Sequence, residues 1–190
     1  MIRSALLVLP ALLAGCVTSG TGFSPAAEQV ALQRMRFAVE AVCLNNDTRG
    51  AQDRAARTAG FPIRERQDGG VNYVNLETLT FLRLAPAPTL SVMTEDGPRA
   101  FEGMACSVGS PAVDVDTANR VVGEILAPRL VEGDTRLSGL IGAGENEGRG
   151  VGLFFEDLIV TVAEAETTLL DGETGEGVRF VHPTILILHR

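Results

Sequence analysis

The sequence contains no lysine and no tryptophan, and its 190 residues include only two histidines and three cysteines. The absence of lysine excludes Schiff-base chemistry, a lysine general base and the phosphate-binding lysine of a P-loop. Two histidines are too few for a metal site built from histidine side chains. We therefore expect no metal site and no cofactor, and no motif assigns a catalytic residue.

Basic residues are outnumbered by acidic ones. The chain has 24 Asp and Glu residues against 16 bases, all of them arginine, which gives a formal net charge of −8. A nucleic-acid-binding protein needs a basic stripe that can contact phosphates. The charge balance therefore predicts that nucleic acid is not a partner. The length fits one ordinary globular domain.

The first 16 residues follow the order of an export signal. Arg3 supplies one positive charge, and residues 5–13 form an apolar run that only Pro10 interrupts. This run is too short to span a bilayer core, which needs about 20 helical residues, but it matches the apolar region of a secretory signal. The tetrapeptide LAGC at residues 13–16 resembles the lipobox of bacterial lipoproteins.

The resemblance to bacterial lipoproteins implies that Cys16 carries lipid. In that family the cysteine thiol receives a diacylglyceryl group and the signal is cut just before it. The chain then divides into a signal peptide at residues 1–15, a lipidated tether at residues 16–23 and a single domain at residues 24–190. Val17 is typical of outer-membrane lipoproteins, since an aspartate there tends to retain the protein at the inner membrane. We therefore expect an outer-membrane protein that faces the periplasm and is anchored through Cys16.

Two cysteines remain once Cys16 is set aside. In an oxidising compartment the default interpretation of Cys43 and Cys106 is a disulfide, which would contribute roughly 4 kcal/mol in the chain-entropy model. The alternative is a catalytic thiol, whose histidine partner would be His182 or His189. The expected oxidising compartment favours the disulfide over the catalytic thiol.

The first helix is predicted to begin at Ser24 and Pro25, a cap residue followed by the proline common in a first turn. Its residues are apolar up to Leu44 except for a narrow polar stripe, which is typical of a largely buried helix. Met35 among these neighbours is interpreted as core filler.

Two shorter helices follow from capping and stop signals. Residues 51–59 form an arginine-rich second helix that Gly60 ends. Asp114 or Asp116 caps a third helix, which Pro128 is expected to stop.

The strand predictions rest on β-branched and aromatic runs between turn residues. They cover residues 71–74, 78–84, 89–93, 100–108, 151–162 and 178–188. Residues 89–93 and 100–108 are expected to pair as a hairpin, and Pro183 to mark a bulge or an edge. The fold class is therefore α+β, with a mainly antiparallel sheet packed against the first helix and a second, mid-chain helix.

The glycine-rich stretch at residues 139–152 is the part of the sequence that most resembles a dinucleotide-binding motif. It lacks the third glycine of a dinucleotide fingerprint, and a strand follows where a helix is required. We interpret it as a connector or lid.

Acidic and histidine motifs also have structural interpretations. Asp114 and Asp116 begin like a calcium loop, but the later ligand positions fail and helix capping explains both residues. The acidic turns at residues 95–96 and 171–176 could hold a hard cation weakly, although solvated turns have the same composition. His182 and His189 are an odd number of strand residues apart, so they should point to opposite faces unless a bulge intervenes.

The domain itself has a weaker resemblance to small exported proteins of uncharacterised function. The resemblance rests on the helix end at residues 41–44, the helix stop at Gly60 and Phe61, and the later cysteine in a strand. The leading functional prediction is a non-enzymatic structural or interaction module of the cell envelope with an envelope protein partner. The alternatives are a periplasmic hydrolase with an acid pair, or a small-ligand binder with a pocket between the first helix and the sheet.

Overall fold

The computed structural model describes residues 22–87, 90–94, 97–131, 141–142, 152–154, 158–170 and 177–189. The helices in these ranges are α1 (Pro25–Ala38), which continues as a π-helical turn (Val39–Leu44), α2 (Arg49–Thr58) and α3 (Val115–Val131). The strands are β1 (Ile63–Gln67), β2 (Gly70–Asn75), β3 (Thr80–Pro86), β4 (Leu90–Thr94), β5 (Gly97–Phe101), β6 (Met104–Gly109), β7 (Ile141–Gly142), β8 (Gly152–Phe154), β9 (Leu158–Leu170) and β10 (Gly177–His189). No helix in these ranges is long and apolar enough to cross a membrane.

The described strands form two antiparallel sheets. The larger sheet has the order β1-β2-β3-β6-β10-β9-β8, and the smaller one has the order β5-β4-β7. The helices α1 and α3 and the π-helical turn lie against the larger sheet and share its core. The predicted α+β class with a mainly antiparallel sheet is confirmed.

Helix α1 begins as its sequence predicts. The backbone N–H of Ala27 donates to the Ser24 hydroxyl at 3.2 Å, which satisfies one of the free donors of the first turn. Met35 is fully buried in the core, as expected. The helix is less enclosed than its apolar sequence suggests, because Val30 and Phe37 are each 46% exposed.

The disulfide between Cys43 and Cys106 is present, with the two Cα atoms 5.5 Å apart. Both residues are fully buried, so the bridge joins the end of the π-helical turn to the centre of the large sheet. The alternative of a catalytic thiol is therefore wrong for either residue.

The predicted single strand at residues 100–108 is wrong. Its first part is β5, which pairs with β4 in the small sheet, and its last part is β6, which lies between β3 and β10 in the large sheet. The chain bends at Gly103, where an added Cβ would lie 3.1 Å from a side-chain carbon of Leu188. The absence of a side chain thus lets the backbone approach β10, and Cys106 belongs to a different sheet from its expected hairpin partner.

Pro128 does not end its helix, and Pro183 marks an edge but not a bulge. Helix α3 continues through Pro128 to Val131, since a proline this close to a helix end removes only one late hydrogen bond. At Pro183 the register between β9 and β10 runs without a break, so the predicted bulge is absent. Pairing with β6 begins only at Thr184, so β10 has a neighbour on one side at Pro183, as at an edge.

Two strands were missing from the prediction, the two-residue strand β7 and strand β1. Strand β1 forms a hairpin with β2 through a turn at Asp68 and Gly69, whose φ angles are 49° and 71°. Two central residues at positive φ are the requirement of the tightest hairpin turn, and an Asp-Gly pair meets it well. This hairpin forms one wall of the site described next.

Candidate functional site

An open cleft of about 670 Å³ lies between α2 and the β1–β2 hairpin. Six charged residues line it: Arg49, Arg57, Arg64, Arg66, Asp53 and Asp68. Four arginines against two aspartates make the cleft locally basic, although the whole chain carries a net charge of −8. This reversal of sign distinguishes the cleft from the rest of the molecule.

Helix α2 supplies one wall because of its residue spacing. Arg49, Asp53 and Arg57 are four residues apart and therefore share one face of the helix. The adjacent face of the helix buries Gln52 and Ala56 against the core, which fixes how the charged face is turned. The first turn of α2 also opens on the cleft, and the partial positive charge of a helix N-terminus adds to that of the arginines.

Strand β1 supplies the other wall. Arg64 and Arg66 are two residues apart and therefore point to the same face of this edge strand. The Arg49 guanidinium donates to the carbonyl of Gly69 at 3.0 Å, which links the helix to the hairpin turn. The distance between the two walls is thus set by contacts within the cleft.

Asp53 lies at the centre of the cleft's hydrogen bonds. One of its oxygens accepts from Arg64 at 2.9 Å and from the Tyr73 hydroxyl, and the other oxygen accepts from Arg57. Desolvation works against ionisation, but the hydrogen bonds from Tyr73, Arg64 and Arg57 together outweigh it and lower the pKa of Asp53 to about 2. The carboxylate is therefore charged at any physiological pH.

The remaining arginine donors are available to a ligand. Arg66 has no hydrogen-bond or ion-pair partner among the residues that the structure describes. Arg49 is paired with a neutral carbonyl, so its charge is not compensated. Guanidinium groups bind carboxylates and phosphates through two parallel hydrogen bonds. Asp53 is a poor general base because its pKa is so low, and the arrangement suits binding of an anion rather than catalysis.

A second cavity, of about 330 Å³, lies on the other face of the sheet and contains His182. The ring contacts the carbonyl of Pro183 through Nδ1 at 3.2 Å, and a carbonyl can only accept, so Nδ1 carries the proton. Nε2 then accepts from the hydroxyl of Thr167 at 2.9 Å. Burial lowers the pKa of His182, which keeps the ring neutral.

Three further polar side chains of this second cavity are paired with one another. Arg83 donates to Asn72 at 2.9 Å, and Asn72 donates to Gln67 at 3.0 Å. Side chains that already satisfy each other have little to offer a ligand. The arginine cleft is the better candidate site.

The histidines and the third-helix aspartates occupy the places that the sequence suggested. His189 lies on the helix side of the sheet, where it bonds to Cys43, and His182 lies on the opposite side. Asp114 caps α3, since it accepts from the backbone N–H of Thr117 at 2.7 Å. Within the described ranges, no three His, Cys, Asp or Glu residues are grouped so that they could hold a metal ion.

Several predictions fall outside the described residues. They include lipidation of Cys16, the acidic turns at residues 95–96 and 171–176, and residues 139–152 apart from Ile141, Gly142 and Gly152. These remain predictions.

The arginines of the cleft were not predicted as a site. The sequence does show an arginine-rich α2, and the alternation of Arg64 and Arg66 is visible as an R-E-R triplet. Neither feature predicts that α2 and β1 face each other. Their juxtaposition depends on the Asp68-Gly69 turn, which was not assigned.

Three comparisons with known proteins give no relative. No protein-family model matches the chain. No curated protein sequence and no solved structure matches it either, so the chemistry of the cleft is the basis for a functional assignment.

Proposed function

We propose that the protein is a lipid-anchored component of the cell envelope whose domain binds an anionic ligand in the arginine cleft. The observation that carries the proposal is the cluster of Arg49, Arg57, Arg64 and Arg66 in a chain that is otherwise acidic. Arg57 and Arg64 are paired with Asp53, but the charges of Arg49 and Arg66 are not compensated, and this excess of positive charge around one cavity favours an anionic occupant.

The size and exposure of the cleft suit a small ligand or a protruding group of a larger one. Ligand sites generally have volumes of about 300–1,000 Å³, and the cleft falls within this range. The ligand is accordingly a molecule that carries phosphate or carboxylate groups. An envelope protein partner would bind here by presenting such a group.

The envelope location rests on the sequence of residues 13–16 and on the disulfide. The LAGC tetrapeptide resembles a lipobox, and a disulfide such as Cys43–Cys106 is typical of an oxidising compartment. Two or three acyl chains on Cys16 would give stable anchoring, whereas a single chain binds only reversibly. We place the domain on the periplasmic face of the outer membrane.

Calorimetric titration tests the binding proposal. The mature lipoprotein, purified in a neutral detergent at low salt, is titrated with inorganic phosphate and separately with citrate. We expect binding to weaken about tenfold when Arg66→Gln removes an uncompensated charge from the cleft. Arg120→Gln is the matched control, because Arg120 pairs with Glu124 on α3, away from the cleft.

Two outcomes would contradict the binding proposal. One is that the wild-type protein binds neither anion. The other is that Arg66→Gln and Arg120→Gln have equal effects, since the charge of the whole molecule rather than the cleft would then be responsible.

Metabolic labelling with a fatty acid tests the anchor separately. We expect the label in the wild type and in Cys43→Ser, and its loss in Cys16→Ser. Cys43→Ser is the matched control because it also removes one cysteine from the same chain. Label retained by Cys16→Ser would refute anchoring through this residue.

A further inference from the structure

We propose that the cleft takes a phosphate group and that Asp53, although negatively charged, positions the arginines that bind it. This inference rests on the proposed function and deepens it. Its consequence is unusual for an anion site, since removal of a negative charge at residue 53 should weaken the binding of an anion.

Asp53 connects the two walls of the cleft. One carboxylate oxygen accepts from Arg57, which is on the same helix, and the other accepts from Arg64, which is on strand β1. A guanidinium group has five N–H donors, so each arginine keeps further donors after this contact. The guanidinium groups of Arg57 and Arg64 are thereby held near each other, and each keeps N–H donors that a ligand can use.

Tyr73 fixes this arrangement from beneath. Its hydroxyl donates to Asp53 and accepts from the Nε–H of Arg64 at 3.1 Å. The guanidinium of Arg64 also lies over the tyrosine ring, 5.7 Å from its centroid. Tyr73 is itself 1% exposed, so this support is part of the core. An arginine that is already ordered loses less conformational entropy when a ligand binds.

Asp68 provides the contrast. It lines the same cleft, but it lies at the tip of the hairpin turn and has no hydrogen-bond or ion-pair partner in the described part of the chain. Its carboxylate orders no arginine, and its effect on an anion is repulsion alone. The two aspartates of the cleft should therefore affect binding in opposite directions.

The number of arginines favours phosphate over a single carboxylate. A carboxylate has two oxygens and one negative charge, whereas a phosphate monoester has three terminal oxygens and a charge of about −1.5 to −2 at pH 7. Arg49 and Arg57 on the helix wall, with Arg64 and Arg66 on the strand wall, offer more donors and charge than one carboxylate can use. A phosphate group, free or on a lipid headgroup, uses them more fully.

The test compares Asp53→Asn with Asp68→Asn in calorimetric titrations of the mature lipoprotein with inorganic phosphate. We expect Asp53→Asn to weaken binding about tenfold. We expect Asp68→Asn to tighten it about two- to threefold, because one repulsive charge is removed. Asparagine tolerates the positive φ of residue 68, so this control should fold normally.

A double-mutant comparison separates positioning from general damage to the fold. In a protein that carries Arg57→Gln and Arg64→Gln, Asp53 has no arginine left to position. Asp53→Asn should then cause no further loss of affinity, whereas a purely structural effect would reduce affinity in both backgrounds. Asp53→Glu, which keeps a carboxylate, should recover part of the binding.

The outcomes distinguish this inference from the proposed function. If Asp53→Asn binds phosphate as tightly as the wild type while Arg66→Gln weakens binding, the positioning role is overturned and the anion site stands. If citrate binds and phosphate does not, the ligand class is overturned. Vesicles with and without phosphatidic acid identify the source of the phosphate, since binding that depends on both Arg66 and phosphatidic acid indicates a lipid headgroup. If neither citrate nor inorganic phosphate binds, the proposed function itself fails.

Discussion

The Nε2 atom of His189 lies 2.7 Å from the main-chain carbonyl of Cys43, 146 residues earlier in the sequence. The imidazole N–H donates to this carbonyl, and the Cys43 side chain forms the disulfide with Cys106. Cys106 and Ile187 are direct partners in the register of β6 and β10. The end of the first helix is therefore fixed to two neighbouring strands of the large sheet by one covalent bond and one hydrogen bond.

Loss of the disulfide should lower the thermal stability considerably. The bridge closes a loop with a sequence separation of 63, so the chain-entropy model gives a contribution of roughly 4 kcal/mol. For a domain of this size we expect a fall in Tm of roughly 10 °C in Cys43→Ser, Cys106→Ser or the double variant. Differential scanning calorimetry measures this directly, and the double variant should resemble the single ones.

Reduction of the wild-type protein provides the control for the serine substitutions. A reducing agent should lower the Tm of the wild type to that of the double variant and leave the double variant unchanged. Two free thiols in unfolded, non-reduced protein from the periplasm would contradict the disulfide.

Local sequence patterns predicted those features of the fold that depend on the residues of a single helix. The cap at Ser24, the buried Met35 and the cap at Asp114 all follow from residue types and spacing within one helix. The division between β5 and β6 could not be predicted in this way, since it depends on the close approach of Gly103 to Leu188, which is far away in the sequence. Long-range packing decided that case.

The candidate site could not be predicted either, because it also depends on long-range packing. Arg57 and Arg64 look like solvated charges when each segment is considered alone. Arg57 can reach Asp53 within one helix, but only the fold brings Arg64 and Tyr73 to the same carboxylate. A disulfide could be predicted because cysteines are few and their chemistry is specific, whereas arginines are numerous and mostly lie on surfaces.

Gly109→Ala should destabilise the domain. An added Cβ would lie 2.5 Å from both Nδ1 of His182 and the hydroxyl oxygen of Thr184, too close for either side chain to remain in place. Overpacking of this kind costs about 1–3 kcal/mol. Urea unfolding should show a lower midpoint. Gly123→Ala in α3 is the control, because its added Cβ meets no atom within 4 Å apart from the adjacent residues and the backbone of its own helix, and alanine favours a helix, so its midpoint should not fall.

A second substitution identifies the cause of this destabilisation. His182→Ala removes the ring that the new methyl group would contact. Gly109→Ala should therefore cost less in a His182→Ala background than in the wild type. Equal costs in the two backgrounds would show that the ring is not the obstacle.

The neutral His182 should make stability depend on pH near neutrality. Burial lowers the pKa of this imidazole in the folded state, whereas the unfolded chain has the ordinary value of 6.5. As the pH falls below 6.5 the unfolded state takes up a proton before the folded state does, so the free energy of unfolding decreases. Urea unfolding at pH 7.5, 6.5 and 5.5 should show a steeper decrease for the wild type than for His182→Gln. Equal pH dependence in the two proteins would contradict a buried neutral ring.

Asp53 should dominate a second pH effect at much lower pH. Its pKa is lowered from 3.8 to about 2 in the folded protein, because the hydrogen bonds from Tyr73, Arg64 and Arg57 outweigh desolvation. A depressed carboxyl pKa contributes stability that is complete above pH 4 and is lost as the pH falls through 2. One pKa unit corresponds to about 1.4 kcal/mol, and partial contact with water reduces the full effect to about 1–2 kcal/mol.

Unfolding of the wild type, Asp53→Asn and Asp68→Asn between pH 7 and pH 2 measures this contribution. We expect Asp53→Asn to be less stable than the wild type above pH 4, and the difference to shrink as the pH approaches 2, where about half of the wild-type carboxylate is protonated. Asp68→Asn should follow the wild type throughout, because Asp68 has no ion-pair partner among the described residues. A difference between the wild type and Asp53→Asn that stays constant down to pH 2 would mean that the ionised carboxylate does not stabilise the fold through Arg57 and Arg64.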